Sequence, residues 1–207
     1  MSGSKTVNSE QRERLLERYR YINVEHDEWW DCVYADFRED MKAVGINVTN
    51  MYFSGFCSQG DGACFEGSLG DTTTYLDHHH KDQYPMIRKL LEHGGDVYAR
   101  CKHRGRYCHQ NCTEFSVDCD ALTEMLPQPT EFHEQIAEQW QGDLVDEIDA
   151  FEGDVIEQWR TYMQDLYRNL EKEYDWLVSD EAVWDTIEAN ELDDDEDEDE
   201  EDWDEAA

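Results

Sequence analysis

The stretch IAEQWQGDLVDEIDAFEGDVIEQWRTYMQDLYRNLEKEYDWL, residues 136–177, decides the fold. Its large apolar residues, Ile136, Trp140, Leu144, Ile148, Phe151, Val155, Trp159, Met163, Leu166, Leu170, Tyr174 and Leu177, recur every three or four positions. That period lays one apolar stripe along an α-helix. Gly142 and Gly153 fall inside the run, and at ~1 kcal/mol each relative to alanine they predict a bend or a break. A stripe this long needs a large surface to cover it, which the preceding residues must supply.

Upstream, residues 46–122 read as mainly β with one short helix. INVTNMYFSGF, then SQGDG, then ACFEG predict strand, tight turn and strand. From Asp96 to Asp120, Val97, Ala99, Cys101 and His103 alternate on one side, a turn falls at Arg104-Gly105, and Phe115, Val117 and Cys119 alternate again. Pro85, with Met86, Ile87, Leu90 and Leu91 before Gly94-Gly95, marks the short helix between the two hairpins. Residues 1–45 read as helical: Asn8 with Gln11 forms a capping box for a helix to about Ile22, and Trp30, Val33, Phe37, Met41 and Val44 form a second period ended by Gly45. Residues 130–190 are helical, with Ser179 the N-cap of a last helix through Ile187. The expected fold is α+β: a small antiparallel sheet of hairpins packed with N-terminal helices and a long amphipathic C-terminal helical region. One domain, 1–190, is followed by a disordered acidic tail, 191–207.

Charge narrows the function. Asp and Glu number 52 against 17 Lys and Arg, a net charge of −35. Residues 191–207 hold 13 acids and no base, but 123–190 already hold 19 acids and 3 bases. A field of this sign repels phosphate backbones and anionic membranes, so direct nucleic-acid or membrane binding is excluded and a large partner should be basic. No run approaches ~18 apolar residues, and MSGSKTVNSEQRER lacks the apolar stretch of a secretory signal, which predicts a cytoplasmic protein. On the long helix the face opposite the stripe carries Glu134, Glu138, Asp143, Asp146, Glu147, Asp149, Glu152, Asp154 and Glu157. Carboxylates three or four residues apart sit ~5–6 Å from one another and destabilise the helix. One reading is a solvated face. The other is a phosphate-like array that, with tail residues such as Asp193, Asp194 and Asp195, binds a basic surface made for nucleic acid.

Two further constellations could carry chemistry. The seven cysteines are an odd number in a reducing compartment, which favours thiols over disulfides. Cys101, His103, Cys108, His109 and Cys112 could hold zinc, but the usual pair of two-residue-spaced cysteines is missing, so no cofactor is expected. His78-His79-His80 reads as a surface loop cluster. The glycine-rich turn around Asp61 reads by default as a hairpin in which Asp61 bonds its own backbone. If the hairpins faced each other, Asp61, His103, Tyr107 and His109 could line a catalytic pocket. The chain is expected not to be an enzyme.

YFSGFCSQGDGACFEG at 52–67, KHRGRYCH at 102–109 and EYDWLVSDEAVWDTIEANEL at 173–192 resemble an uncharacterised family encoded by tailed phages and prophages, some of whose members carry a toxin-antitoxin label. The resemblance covers about 46–192. In that family the position of Cys57 is often Trp and the acidic end is shorter. The resemblance implies a phage or mobile-element source, with the protein acting in the host cytoplasm. Joined to the charge, it leads to an acidic inhibitor of a host nucleic-acid-binding protein, such as an anti-CRISPR or antirestriction protein. The alternatives are an antitoxin-like regulator that neutralises a basic toxin, or a small metal-dependent or hydrolytic enzyme using Asp61, His103 and His109. Homo-oligomerisation is left open.

Overall fold

A computed structural model of the chain describes residues 8–26, 28–126 and 134–192, with 134–138 described by their backbone alone. In chain order the elements are α1 (Ser9–Arg18), α2 (Asp31–Ala43), β1 (Ile46–Phe53), β2 (Ala63–Leu69), α3 (Thr72–His79), α4 (Pro85–Glu92), β3 (Tyr98–His103), β4 (Thr113–Asp118), α5 (Asp120–Glu124), α6 (Glu134–Leu177) and α7 (Asp180–Ala189). The fold is α+β. Its sheet is antiparallel and ordered β1-β2-β3-β4, with Phe53 opposite Ala63, Gly67 opposite Cys101 and His103 opposite Thr113. The described chain clusters into two compact units, 1–30 with 172–207, and 31–171.

The larger unit holds the sheet. Alternation on β3 buries Ala99 and Cys101 while Tyr98, Arg100 and Lys102 face solvent. Phe65 of β2 meets Phe37 of α2 at 5.6 Å and Trp159 of α6 at 5.9 Å between ring centroids. Leu144, Phe151, Val155, Trp159, Met163, Leu166 and Leu170 are each at most 1% exposed, so the stripe read from the sequence packs from Leu144 to Leu170. Each such side chain contributes about 1.5–3 kcal/mol when buried. That sum overrides the ~1 kcal/mol cost of each glycine. The expected break at Gly142 or Gly153 is therefore corrected: α6 runs through both, and a Cβ at either position would meet nothing.

Two more expectations are corrected. His78-His79-His80 is not a loop cluster, since His78 and His79 end α3, a helix additional to the one short helix foreseen in 46–122. Its start was visible in Asp71, whose carboxylate accepts from Thr74 N–H at 2.9 Å, but the run of three threonines hid the helical pattern. The turn read at Arg104-Gly105 begins a longer connection: residues 104–112 form a loop ending in a 3₁₀ turn, Gln110–Cys112.

The smaller unit is built by α1, α7 and the end of α6. Asn8 and Gln11 form the foreseen capping box, and the Ser179 hydroxyl accepts from Ala182 N–H. Leu15, Leu16, Val183 and Ile187 form its core. Asn23 ties it together, donating to Leu177 O at 2.9 Å and accepting from the Thr186 hydroxyl at 2.7 Å. Tail residues 193–207 lie outside the described residues.

Candidate functional site

The acidic face of α6 divides into carboxylates on display and carboxylates in use. Asp143, Asp146, Asp149 and Glu157 are exposed. Glu147 is committed to α4. That helix starts at Tyr84-Pro85, with Tyr84 left-handed (φ 58°) and offering no side-chain cap, so the first N–H groups of α4 need an acceptor from elsewhere. Glu147 supplies it: Oε2 accepts from Met86 N–H at 3.0 Å and from Ile87 N–H at 3.1 Å. Asp154 is also turned inward, accepting from the Tyr84 hydroxyl, with His80 Nδ1 at 3.7 Å. Burial, and then that carboxylate, push the Tyr84 phenol well above its ordinary pKa. Glu152 is half-buried, and its pKa is raised first by burial and then by Asp149 and Asp118. The side chains of Glu134 and Glu138, and all of Asp193, Asp194 and Asp195, lie outside the described residues.

Beside the displayed row the surface turns apolar. Trp140 is 47% and Val145 49% exposed. Trp140 and Asp143 border an open cleft of about 520 Å³ whose other walls include Met86, Leu90, Met125 and Leu126.

The glycine-rich turn is clamped against the 104–112 loop. Asp61 Oδ2 accepts from Cys57 N–H at 2.9 Å and Ser58 N–H at 2.6 Å, which is the local bonding expected of it. Gly60 has φ +102°, and a Cβ there would stand 2.8 Å from the Tyr107 ring; one on Gly62 would stand 2.7 Å from Cys108 O. Glycine lets the two loops touch. Their contact opens a cleft of about 270 Å³ lined by Asp61, Gly62, Ala63, His109 and Gln110, and closed by Met163, Gln164, Tyr167 and Arg168 of α6. Asp61 and His109 thus share a site, as the enzyme alternative required. His103 and Tyr107 do not line it. His103 sits on the sheet, with Nδ1 3.5 Å from Cys64 Sγ and its ring 4.7 Å from Tyr52, and Tyr107 is half-exposed over Gly60. The α6 residues of the cleft carried no local signal, because only packing brings a helix a hundred residues away to the turn.

Three of the proposed zinc ligands make hydrogen bonds within the protein. Cys101 donates its thiol hydrogen to Phe65 O, His103 meets Cys64, and His109 Nδ1 accepts from Asn111 N–H. Burial, before any other cause, pushes the Cys101 and Cys64 thiols up to about 12. Among the described residues no group of three or more His, Cys, Asp or Glu is arranged to hold a metal ion. Likewise, no helix of the described residues is long and apolar enough to cross a membrane.

A family model described as a domain of unknown function, DUF8835, matches residues 29–180, most of the chain. The chain belongs to the DUF8835 family. The family match takes in the sheet, the glycine-rich turn, the displayed carboxylates and the 270 Å³ cleft, so both candidate surfaces are parts of the DUF8835 domain. No curated protein and no solved structure matches the chain.

Proposed function

We propose that this protein is an acidic interaction protein that docks on the basic nucleic-acid-binding surface of a host protein and blocks it by standing in for nucleic acid. The observation that carries this reading is the exposed row Asp143, Asp146, Asp149 and Glu157, none of whose carboxylates is spent on a hydrogen bond or ion pair inside the described residues. The row spans about 21 Å of helix at ~1.5 Å per residue. A duplex carries one charge per ~1.7 Å, so four carboxylates are sparser than DNA over that length. The 13 acids of residues 191–207 supply further negative charge. Exposed Trp140 and Val145 beside the row favour a protein partner, since buried aromatic anchors dominate the energy of such interfaces. A phage or mobile-element source, with an anti-CRISPR or antirestriction role in the host cytoplasm, is the setting in which such an inhibitor acts.

The test is competition. Partners captured from a host lysate are offered their own DNA or RNA. This protein should displace the nucleic acid, and its binding should weaken steeply with salt. Changing Asp143, Asp146, Asp149 and Glu157 together to Lys should abolish binding without loss of fold. Simultaneous binding of protein and nucleic acid by the captured partner ends the reading. Capture of a basic toxin that binds no nucleic acid replaces it with the antitoxin-like one.

A further inference from the structure

The sheet ends on an open strand. Of its two edges, β1 is interrupted by a register shift between Val48 and Asn50, a common protection of an edge, whereas β4 keeps one register with β3 from Thr113 to Asp118. Arg104 N–H donates to Cys112 O at 2.8 Å, which makes these two residues a hydrogen-bonded pair. Alternation along an antiparallel ladder then turns the N–H and C=O groups of Glu114, Ser116 and Asp118 toward β3, and those of Phe115 and Val117 outward. His103 N–H, in the opposite phase on β3, donates to Glu66 of β2 at 3.2 Å, as the alternation requires. Among the described residues no hydrogen bond and no strand takes up the outward groups of Phe115 and Val117.

The side chains of β4 select what can pair there. On the solvent face stand Glu114, Ser116 and Asp118, opposite Lys102, Arg100 and Tyr98. On the other face Phe115 and Val117 are half-buried; Phe115 lies 6.5 Å from Trp159 between ring centroids, and the Arg160 guanidinium stands over its ring at 5.4 Å. A strand added beside β4 covers Phe115 and Val117 with every second residue, where Arg160 disfavours a cation and an apolar side chain fits. Its alternate residues stand beside Glu114 and Asp118. Glu114 pairs with Arg104, whereas Asp118 makes no ion pair among the described residues and, after burial and Asp149, raises the pKa of Glu152. A cation at that end relieves the repulsion. A second copy of β4 fits badly: paired antiparallel about Ser116, it sets Glu114 opposite Asp118 twice, and like charges directly opposite are destabilising. We propose that β4 is a docking edge for an extended segment of a basic protein, in which apolar residues alternate with Lys or Arg, added antiparallel as a fifth strand. The proposal uses no carboxylate of the displayed row on α6 and its test needs no captured partner, so either reading can fail alone.

The experiment is amide hydrogen exchange, read by NMR on the full chain, with a capped seven-residue peptide of alternating Lys and Val. Exchange at the Phe115 and Val117 amides should slow on its addition, while Glu114 and Ser116, whose N–H groups already bond β3, should change less. A peptide of the same composition, with its lysines and valines in separate blocks, brings the same charge to a chain of net charge −35. It should bind at least about tenfold more weakly, as should the alternating peptide methylated at its valine nitrogens, which loses the donors to β4. Val117→Pro should abolish binding, because the N–H it removes points away from β3. If that variant unfolds, the block and methylated peptides decide on the unaltered protein. Asp118→Asn, which keeps an acceptor for Asp120 N–H (3.0 Å), should weaken the alternating peptide severalfold. Slowed exchange at Phe115 and Val117 with the alternating peptide alone supports the proposal. Equal binding of the block or methylated peptide, or no slowing at millimolar peptide, overturns it, and a dimer of the unaltered protein that Val117→Pro dissolves gives the edge to a second copy instead.

Discussion

Replacing Glu147 by Ala separates a carboxylate that holds the fold from one that is displayed. Glu147 accepts from two backbone N–H groups at the start of α4, a helix whose own N-cap, Tyr84, contributes no side-chain acceptor. A hydrogen bond to a charged group is worth ~1.5–3 kcal/mol, and loss of a helix cap costs ~0.5–2 kcal/mol. These describe the same contact and do not add. Glu147→Ala should therefore destabilise by about 2 kcal/mol, roughly a 30-fold change in the unfolding equilibrium. Glu147→Gln keeps an acceptor but loses the charge and its attraction to the helix N-terminus, so about half that loss is expected. Asp146→Ala, one residue away but exposed, should stay within ~0.5 kcal/mol of the unaltered protein. Urea unfolding measures the totals, and native-state hydrogen exchange at Met86 and Ile87 locates them. Equal stability of Glu147→Ala and Asp146→Ala, with Ile87 exchange unchanged, would refute the division of the acidic face.

Stability should fall on mild acidification through His79. Burial first, and then His78 and His80, lower its pKa from 6.5 to about 4, and the neutral ring bonds the Tyr162 hydroxyl at 2.6 Å. The unfolded chain protonates this site first, so its contribution is complete above pH 6.5 and is lost as pH falls toward 4. Urea midpoints measured from pH 7 to 4.5 should show this slope, and His79→Gln should flatten it. Purified protein should keep its circular dichroism and melting midpoint in chelator and carry less than one zinc per chain; one zinc per chain with unfolding in chelator would establish the metal site instead.

Most of the secondary structure was legible because local rules set it. The Asn8-Gln11 box, the Ser179 cap and the alternation of Val97, Ala99 and Cys101 are short-range patterns, and each appears where it was read. Failures came where local and tertiary preferences compete. Gly142 and Gly153 weaken a helix taken alone, but the buried stripe on either side holds α6 through them. Three threonines masked α3, whose stability comes from burying Tyr75 and Leu76.

By itself, the sequence determined the α+β class, the face of α6 that packs, the excess of negative charge and the local backbone bonding of Asp61, since composition, periodicity and turn chemistry are properties of neighbouring residues. Only the tertiary structure decided which carboxylates are available. Glu147 and Asp143 lie one helical turn apart and look alike in sequence, yet one reaches back 60 residues to cap α4 and the other faces water. Only packing, too, brought His109, Gln110 and Tyr167 to the turn at Asp61. Partners so distant in the chain meet through the burial of the elements that carry them, and no local pattern records that meeting.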